Sequence, residues 1–244
     1  MIKEIRKLII KAAHKAEHGH IPSAMSIVEI LTTICEQKTN DDIFILSKGH
    51  GCLAYYSYLC YKNKIKLDDL LNFGKKGSIL GGHPDRNKIK DIYASTGSLG
   101  HGLPIAIGAA LAKKIKNQPG RIFCLIGDGE SNEGTIWESL SIAKNLNLTN
   151  LVCIVDNNKS QIRSLPAINL HEKFHAFGWE VEEIDGHNLS ELKFHCIMSS
   201  LSKSKVIIAN TIKGKGVKEI ENNMFGWHHR SPNKEEYEKF IKEL

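Results

Sequence analysis

The stretch that decides the fold is Arg121-Ile-Phe-Cys-Leu-Ile-Gly-Asp-Gly129, followed after a helix-length interval by Leu151-Val-Cys-Ile-Val-Asp-Asn-Asn158. Each opens with a short apolar run rich in strand formers and stops abruptly at polar residues. Between them Ile136, Leu140, Ala143 and Leu146 recur at three- or four-residue spacing, which predicts a helix over 133–148. Two buried strands joined by one helix make a right-handed βαβ unit of a parallel sheet. In such sheets ligands bind where the strands deliver their carboxyl ends.

Both of these strand ends carry oxygen donors. Asp128 offers a carboxylate, and Asn158, thirty residues later, a side-chain carbonyl. On neighbouring strands the two could reach one point above the sheet. A hard divalent cation, Mg²⁺ or alternatively Ca²⁺, takes such oxygens and shares them with ligand phosphates. Gly127 and Gly129 let the backbone turn and come close to a ligand, and a helix start near Glu133 adds a dipole that favours phosphate. Taken alone, Gly127-Asp128-Gly129 reads as readily as a plain strand-to-helix turn. The second oxygen-bearing strand end is what makes the signal specific.

Length and composition allow one large α/β domain over 1–244, since 41% hydrophobic residues can bury a core and the 25% charged fraction is ordinary. The formal charge of +6 comes from lysines scattered along the chain with no dense basic tract, so nucleic acid is not indicated. Six cysteines show no metal-ligand spacing, and Cys124 and Cys153 fall inside predicted core strands, where free thiols imply a reducing compartment. No signal sequence or membrane-length apolar run is present. The expectation is a cytoplasmic protein that meets no membrane.

Outward from the central unit, helices are predicted over 3–17, 26–35, about 52–58, 67–73, 103–116, 189–201 and 234–244. Further strands are predicted at 43–46, 178–184 and 205–212. Residues 74–101 are glycine-studded and aperiodic, and long loops of this kind are usually functional. Of the twelve histidines, His18, His20, His50, His83, His101 and His187 each adjoin a glycine. A reaction that moves protons needs groups that exchange them near neutrality. His187, in Asp185-Gly-His187, reads as structural.

Gly127-Asp128-Gly129 with Asn158 resembles the thiamine diphosphate motif, and Leu46-Ser-Lys-Gly-His-Gly51, Gly82-His-Pro84 and Thr96-Gly-Ser-Leu-Gly100 narrow the resemblance to the transketolase family. These motifs belong to the family's N-terminal, diphosphate-binding half and run from His20 to His228. The resemblance implies an α/β fold, a mostly parallel sheet with helices on both faces, that binds thiamine diphosphate and Mg²⁺. It implies metal ligation by Asp128, Asn158 and Ser160. Cofactor contacts fall to His50, Gly97, Ser98, Leu99, Gly127, Gly129, Glu130 and His228. His20, His50, His83 and His228 match substrate histidines, and Glu133 the acid of a proton relay across the subunit interface. A helix first-turn Glu is the alternative for Glu133. Two departures stand out: His20-Ile21-Pro22 replaces the usual His-Pro-Gly, and His101 stands where Gln is common.

In transketolases the glutamate that activates the cofactor lies in a second domain, on the neighbouring subunit. The resemblance therefore implies a split enzyme, in which this chain is the N-terminal subunit. A C-terminal partner subunit would supply the activating Glu. A homodimer or an A2B2 heterotetramer, acting on sugar phosphates, is the expected assembly. Three other readings remain: a component of a 2-oxo acid decarboxylating complex, a Rossmann-type nucleotide binder, and a non-catalytic cofactor-binding subunit. The second is weak, because no G-x-G-x-x-G follows a strand.

Overall fold

The computed structural model describes residues 1–163, 169–198 and 202–244. The chain opens with α1 (Ile2–Ala16), α2 (Ile21–Met25) and α3 (Val28–Gln37), then β1 (Ile43–Leu46), α4 (Cys52–Tyr61) and α5 (Leu67–Leu71). After a long loop come α6 (Gly102–Ile115), β2 (Ile122–Gly127), α7 (Gly134–Asn145) and β3 (Leu151–Asn157). The last part holds α8 (Leu170–Ala176), β4 (Glu180–Asp185), α9 (Leu189–Leu192), β5 (Lys205–Asn210), α10 (Lys218–Asn222) and α11 (Lys234–Glu243). The strands form one sheet in the order β1-β2-β3-β5-β4, with every neighbouring pair parallel.

The apolar runs are continuous because both faces of the sheet are covered. Phe44, Phe123, Leu125, Val152, Ile154 and Ile207 pack toward α1–α5 and α11. Their alternates Ile45, Cys124, Ile126, Cys153, Val155 and Ile208 pack toward α6, α7 and α8. This is the three-layer α/β arrangement expected from the sequence. Gly127 lies in register with Asp156, so the ends of β2 and β3 are neighbours. Among the described residues no helix is long and apolar enough to cross a membrane.

The departures are local. The helix expected over 26–35 is α3, shifted to start at Val28, and a short helix not expected from the sequence, α2, precedes it; between them Ser26 gives its hydroxyl to Asp156 at 2.8 Å. The helix expected over 189–201 keeps α-helical pitch only through Leu192 and continues as a wider turn over Lys193–Met198; residues 199–201 lie outside the described set. The 74–101 segment contains no helix or strand, yet it is anchored. The Tyr55 and Tyr56 hydroxyls donate to the carbonyls of Asp91 and His83 (2.8 Å each), Thr96 donates to the Leu46 carbonyl (2.7 Å), and Leu80, Ile89 and Ile92 are buried.

Helix α6 begins directly against the tip of β1: a Cβ on Gly102 would lie 2.3 Å from Ser47 Oγ and 2.7 Å from its Cα. Alanine is the better helix former by about 1 kcal/mol, whereas overpacking costs about 1–3 kcal/mol. Because the clash falls on the Ser47 backbone as well as its side chain, the net cost is about 1–2 kcal/mol, and Gly102→Ala should lower Tm by roughly 2–8 °C for a domain of this size. Scanning calorimetry checks the sign, and an unchanged or raised Tm would contradict this packing.

Candidate active site

Four strand tips, those of β1, β2, β3 and β5, converge on one cluster of charges. At its centre Asp156 is fully buried, placed there by the end of β3, which is apolar from Leu151 to Val155. Its carboxylate pairs with the buried Lys48 ammonium just beyond β1 and accepts from Ser26 Oγ (2.8 Å), Asn158 Nδ2 (2.7 Å) and Thr211 Oγ1. Lys48 also donates to the Ser23 carbonyl at 3.2 Å. Because Asn158 spends its amide N–H on Asp156, its carbonyl oxygen is turned the other way, where it accepts from Ser160 N (3.0 Å) and Ser160 Oγ.

Asp128 stands next to this pair. Its Oδ1 accepts the Gly129 amide at 2.8 Å, while its Oδ2 is buried with no hydrogen-bond partner among the described residues. Burial, reinforced by the Asp156 charge, pushes the Asp128 carboxyl above its ordinary range against the pull of the Gly129 amide and Lys48. An unpartnered buried carboxylate oxygen is costly, and a divalent cation there would hold it ionised. The donor set is all oxygen, which suits Mg²⁺ or Ca²⁺. Around it, Lys48 and Lys213 are buried ammoniums that complement a diphosphate. Gly129 lines the cavity with open space where a Cβ would stand, so a ligand can approach its backbone. Metal and diphosphate therefore both fit the residues present.

The cavity, about 300 Å³, is walled on its other sides by His20, His50, His83 and His228 together with Gly97 and Leu99. His83 packs on Gly97, whose Cβ would come within 3.0 Å of the ring at φ +149, so glycine is needed there. Burial, then the Lys48 charge, drives the His50 imidazole down to about 2. His20 falls to about 4 through burial and then the neighbouring His229, His228 and His83. His228 is lowered by burial and by Lys213, whose ammonium meets its Nδ1 at 3.0 Å. That contact makes Nδ1 the acceptor and leaves the proton of the neutral ring on Nε2. Lys213 itself falls to about 8, chiefly through burial and then Lys48.

The remaining sequence-derived candidates sit differently. Glu130 borders the cavity, but both its oxygens are occupied, accepting from Ser47 Oγ, Gly100 N (2.8 Å) and Gly127 N (3.1 Å). It braces three loops. Glu133 is exposed at the head of α7, outside the cavity lining, and Ser98 is exposed beside Leu99. His187 is held at both ring nitrogens, to Glu29 Oε2 (3.1 Å) and from Ile212 N (2.9 Å), as a structural residue would be. Lys48, Asp156 and Lys213 were not singled out by sequence. The available signal was a charged residue stationed where an apolar strand ends.

A metal and diphosphate site at parallel strand tips defines the class, a cofactor-binding α/β domain. The family model described as "Transketolase, thiamine diphosphate binding domain" matches residues 1–243, and the chain belongs to this family. It is 34% identical to one subunit of the apulose-4-phosphate transketolase of Phocaeicola vulgatus, covering 98% of this chain and 90% of that protein. It is 36% identical to the 6-deoxy-6-sulfo-D-fructose transketolase subunit SqwG of a Clostridium species, covering 87% and 83%. The structure of Campylobacter jejuni transketolase superposes with a TM-score of 0.88 at 30% identity, over 99% of this chain and 42% of that one. The chain thus spans well under half the length of that solved enzyme.

Two measurements test the electrostatics. Asp156→Asn leaves Lys48 buried without its counter-charge, and losing one member of a buried pair costs about 3–5 kcal/mol; urea unfolding should show it, and a loss below about 1 kcal/mol would contradict the pairing. Separately, His20 in the folded chain refuses a proton that the unfolded chain accepts below about 6.5. The unfolded state then binds more protons, so stability rises with pH from about 4 to 6.5 and levels off above. His20→Gln should flatten part of that slope, and identical slopes in both proteins would contradict it.

Proposed function

We propose that this chain is the N-terminal, diphosphate-binding subunit of a two-chain transketolase, a single domain over 1–244 that moves a two-carbon ketol unit from a ketose phosphate to an aldose phosphate. The observation that carries this is the buried, unpartnered Asp128 Oδ2 facing a cavity ringed by four imidazoles. Relatives whose names make them one subunit of an apulose-4-phosphate transketolase support the split organisation. The natural setting is the cytoplasm, and the assembly a homodimer of this chain or an A2B2 heterotetramer.

Thiamine diphosphate, when bound, supplies the carbon nucleophile and electron sink for cleaving a ketose beside its carbonyl. The chain's own residues do the rest. Asp128 Oδ2, Asn158 Oδ1 and the Ser160 carbonyl would hold Mg²⁺, while the open backbone at Gly129 and the Lys213 and His228 pair would receive the diphosphate. Gly97, Ser98 and Leu99 would face the cofactor's rings. His20, His50, His83 and His228 accept and return protons on the sugar hydroxyls. Glu133, exposed at the head of α7, is available to a proton relay with the partner. The activating Glu comes from that partner.

Substrate identity follows the relatives only as far as class: a ketose whose far end bears an anionic group, as the names apulose-4-phosphate and 6-deoxy-6-sulfo-D-fructose transketolase indicate for those proteins.

The chain alone, given thiamine diphosphate and Mg²⁺, should show no ketol transfer, and mixing it with its C-terminal partner should restore it in a coupled sugar-phosphate assay. Full activity of the isolated chain would contradict the split. Gly129 adopts ordinary right-handed φ of −64°, so Gly129→Val should fold with an unchanged Tm while its side chain fills the diphosphate cradle. Calorimetric titration of the assembled complex should then show at least tenfold weaker cofactor binding. Undiminished affinity would exclude this cradle.

A further inference from the structure

Two histidines beyond those of the proposed site share its mouth. The rings stand in file: His50 to His20 at 5.5 Å, His20 to His229 at 4.5 Å, His229 to His18 at 5.4 Å, and His18 to Phe73 at 5.0 Å. The inner end of the file lies in the cavity beside Asp128, and the outer end reaches the buried ring of Phe73. His18 is held there by shape. It stacks on Phe73 with 14° between planes, and a Cβ on Gly74, at φ +71, would come within 2.8 Å of its Cδ2. His229 follows His228 in the exposed turn between α10 and α11.

What distinguishes this file is its unspent polarity. His14 and His187 use their ring nitrogens on Pro232, Glu29 and Ile212. Among the described residues, no protein hydrogen bond is made by the ring nitrogens of His18, His20, His50 or His229. A packing role would need the rings but not their nitrogens, and aliphatic or phenyl groups would serve it at lower desolvation cost. A row of imidazoles, whose ring nitrogens can donate and accept, instead matches a carbon chain bearing a hydroxyl at each step.

We propose that His18 and His229 are specificity-determining residues that hydrogen-bond the outer hydroxyls of the sugar, beyond the carbons addressed by His20 and His50. This rests on the ketol-transfer reading and deepens it: the preferred substrates are linear or branched polyhydroxylated ketose phosphates long enough to reach the mouth. His20 and His50 face the reacting end, and His229 then His18 read the length and hydroxylation of the remainder.

The test compares two donors in the assembled two-chain enzyme: a ketose phosphate of five or more carbons, and hydroxypyruvate, whose three carbons end before the outer pair. His18→Phe preserves the stack on Phe73 and deletes both nitrogens, while His229→Ala alters an exposed residue. Each lost hydrogen bond is worth about a three- to tenfold change. Each variant should therefore lower kcat/KM for the long donor relative to hydroxypyruvate by about three- to tenfold, expressed mainly in KM. Cofactor affinity, read by calorimetric titration, should stay that of the wild type. An equal fall on both donors, or no change in their ratio, would overturn the proposal. Failure of the wild-type complex to transfer ketol from either donor would instead overturn the transferase reading, and this assignment with it.

Discussion

The buried pair of Lys48 and Asp156 is the constraint on which the rest of the site depends. Neither charge can reach water, and each partner is delivered by a different strand tip, 108 residues apart in the chain. A buried pair of this kind is a weak source of stability but a strict condition on geometry, because removing either member strands the other. Here Asp156 also gathers Ser26, Asn158 and Thr211, so α2, β3 and the end of β5 are registered on one carboxylate. Asn158 presents its carbonyl outward because its amide is claimed by Asp156. The orientation of that oxygen is thus set by a neighbouring carboxylate.

The same cluster accounts for the state of the histidines. Two buried ammoniums, Lys48 and Lys213, lie at the cavity floor and oppose any further positive charge. Together with burial they keep His50 and His228 neutral, which is the form able both to give and to take a proton. Lys48 already has Asp156 as its counter-charge, whereas the Lys213 ammonium, bonded to His228, would be met by an anion, and Asp128 Oδ2 by a cation. A metal diphosphate satisfies both at once, which is why the chemistry of the site reads more clearly than any single residue in it.

Much of this was legible in the sequence. Four strands declare themselves as apolar runs without alternation, since both sheet faces are covered there, whereas the edge strand β4 alternates, and the adjacency of Asp128 and Asn158 follows from the βαβ rule. What escaped notice was long-range. Lys48 sat inside a recognised motif, and Asp156 inside the quoted Asp-Asn-Asn, but no spacing rule links residues brought together only by sheet order. The bond from Ser26 to Asp156 has the same origin: it joins the start of the α3 region to a carboxylate far along the chain, a tertiary contact that local periodicity cannot show. Glu130 teaches the reverse lesson. Its place after Gly129 suggested a cofactor contact, yet its carboxylate is consumed by loop amides and a serine.

The most direct test of the central claim is the dependence of thiamine diphosphate affinity on Mg²⁺ in the assembled complex, measured by calorimetric titration for the wild type and for Asp128→Asn. If Asp128 and Asn158 grip an ion that tethers the diphosphate, Mg²⁺ strengthens binding to the wild type at least tenfold and changes binding to the variant little. An equal strengthening by Mg²⁺ in both proteins would place the ion elsewhere and contradict the account.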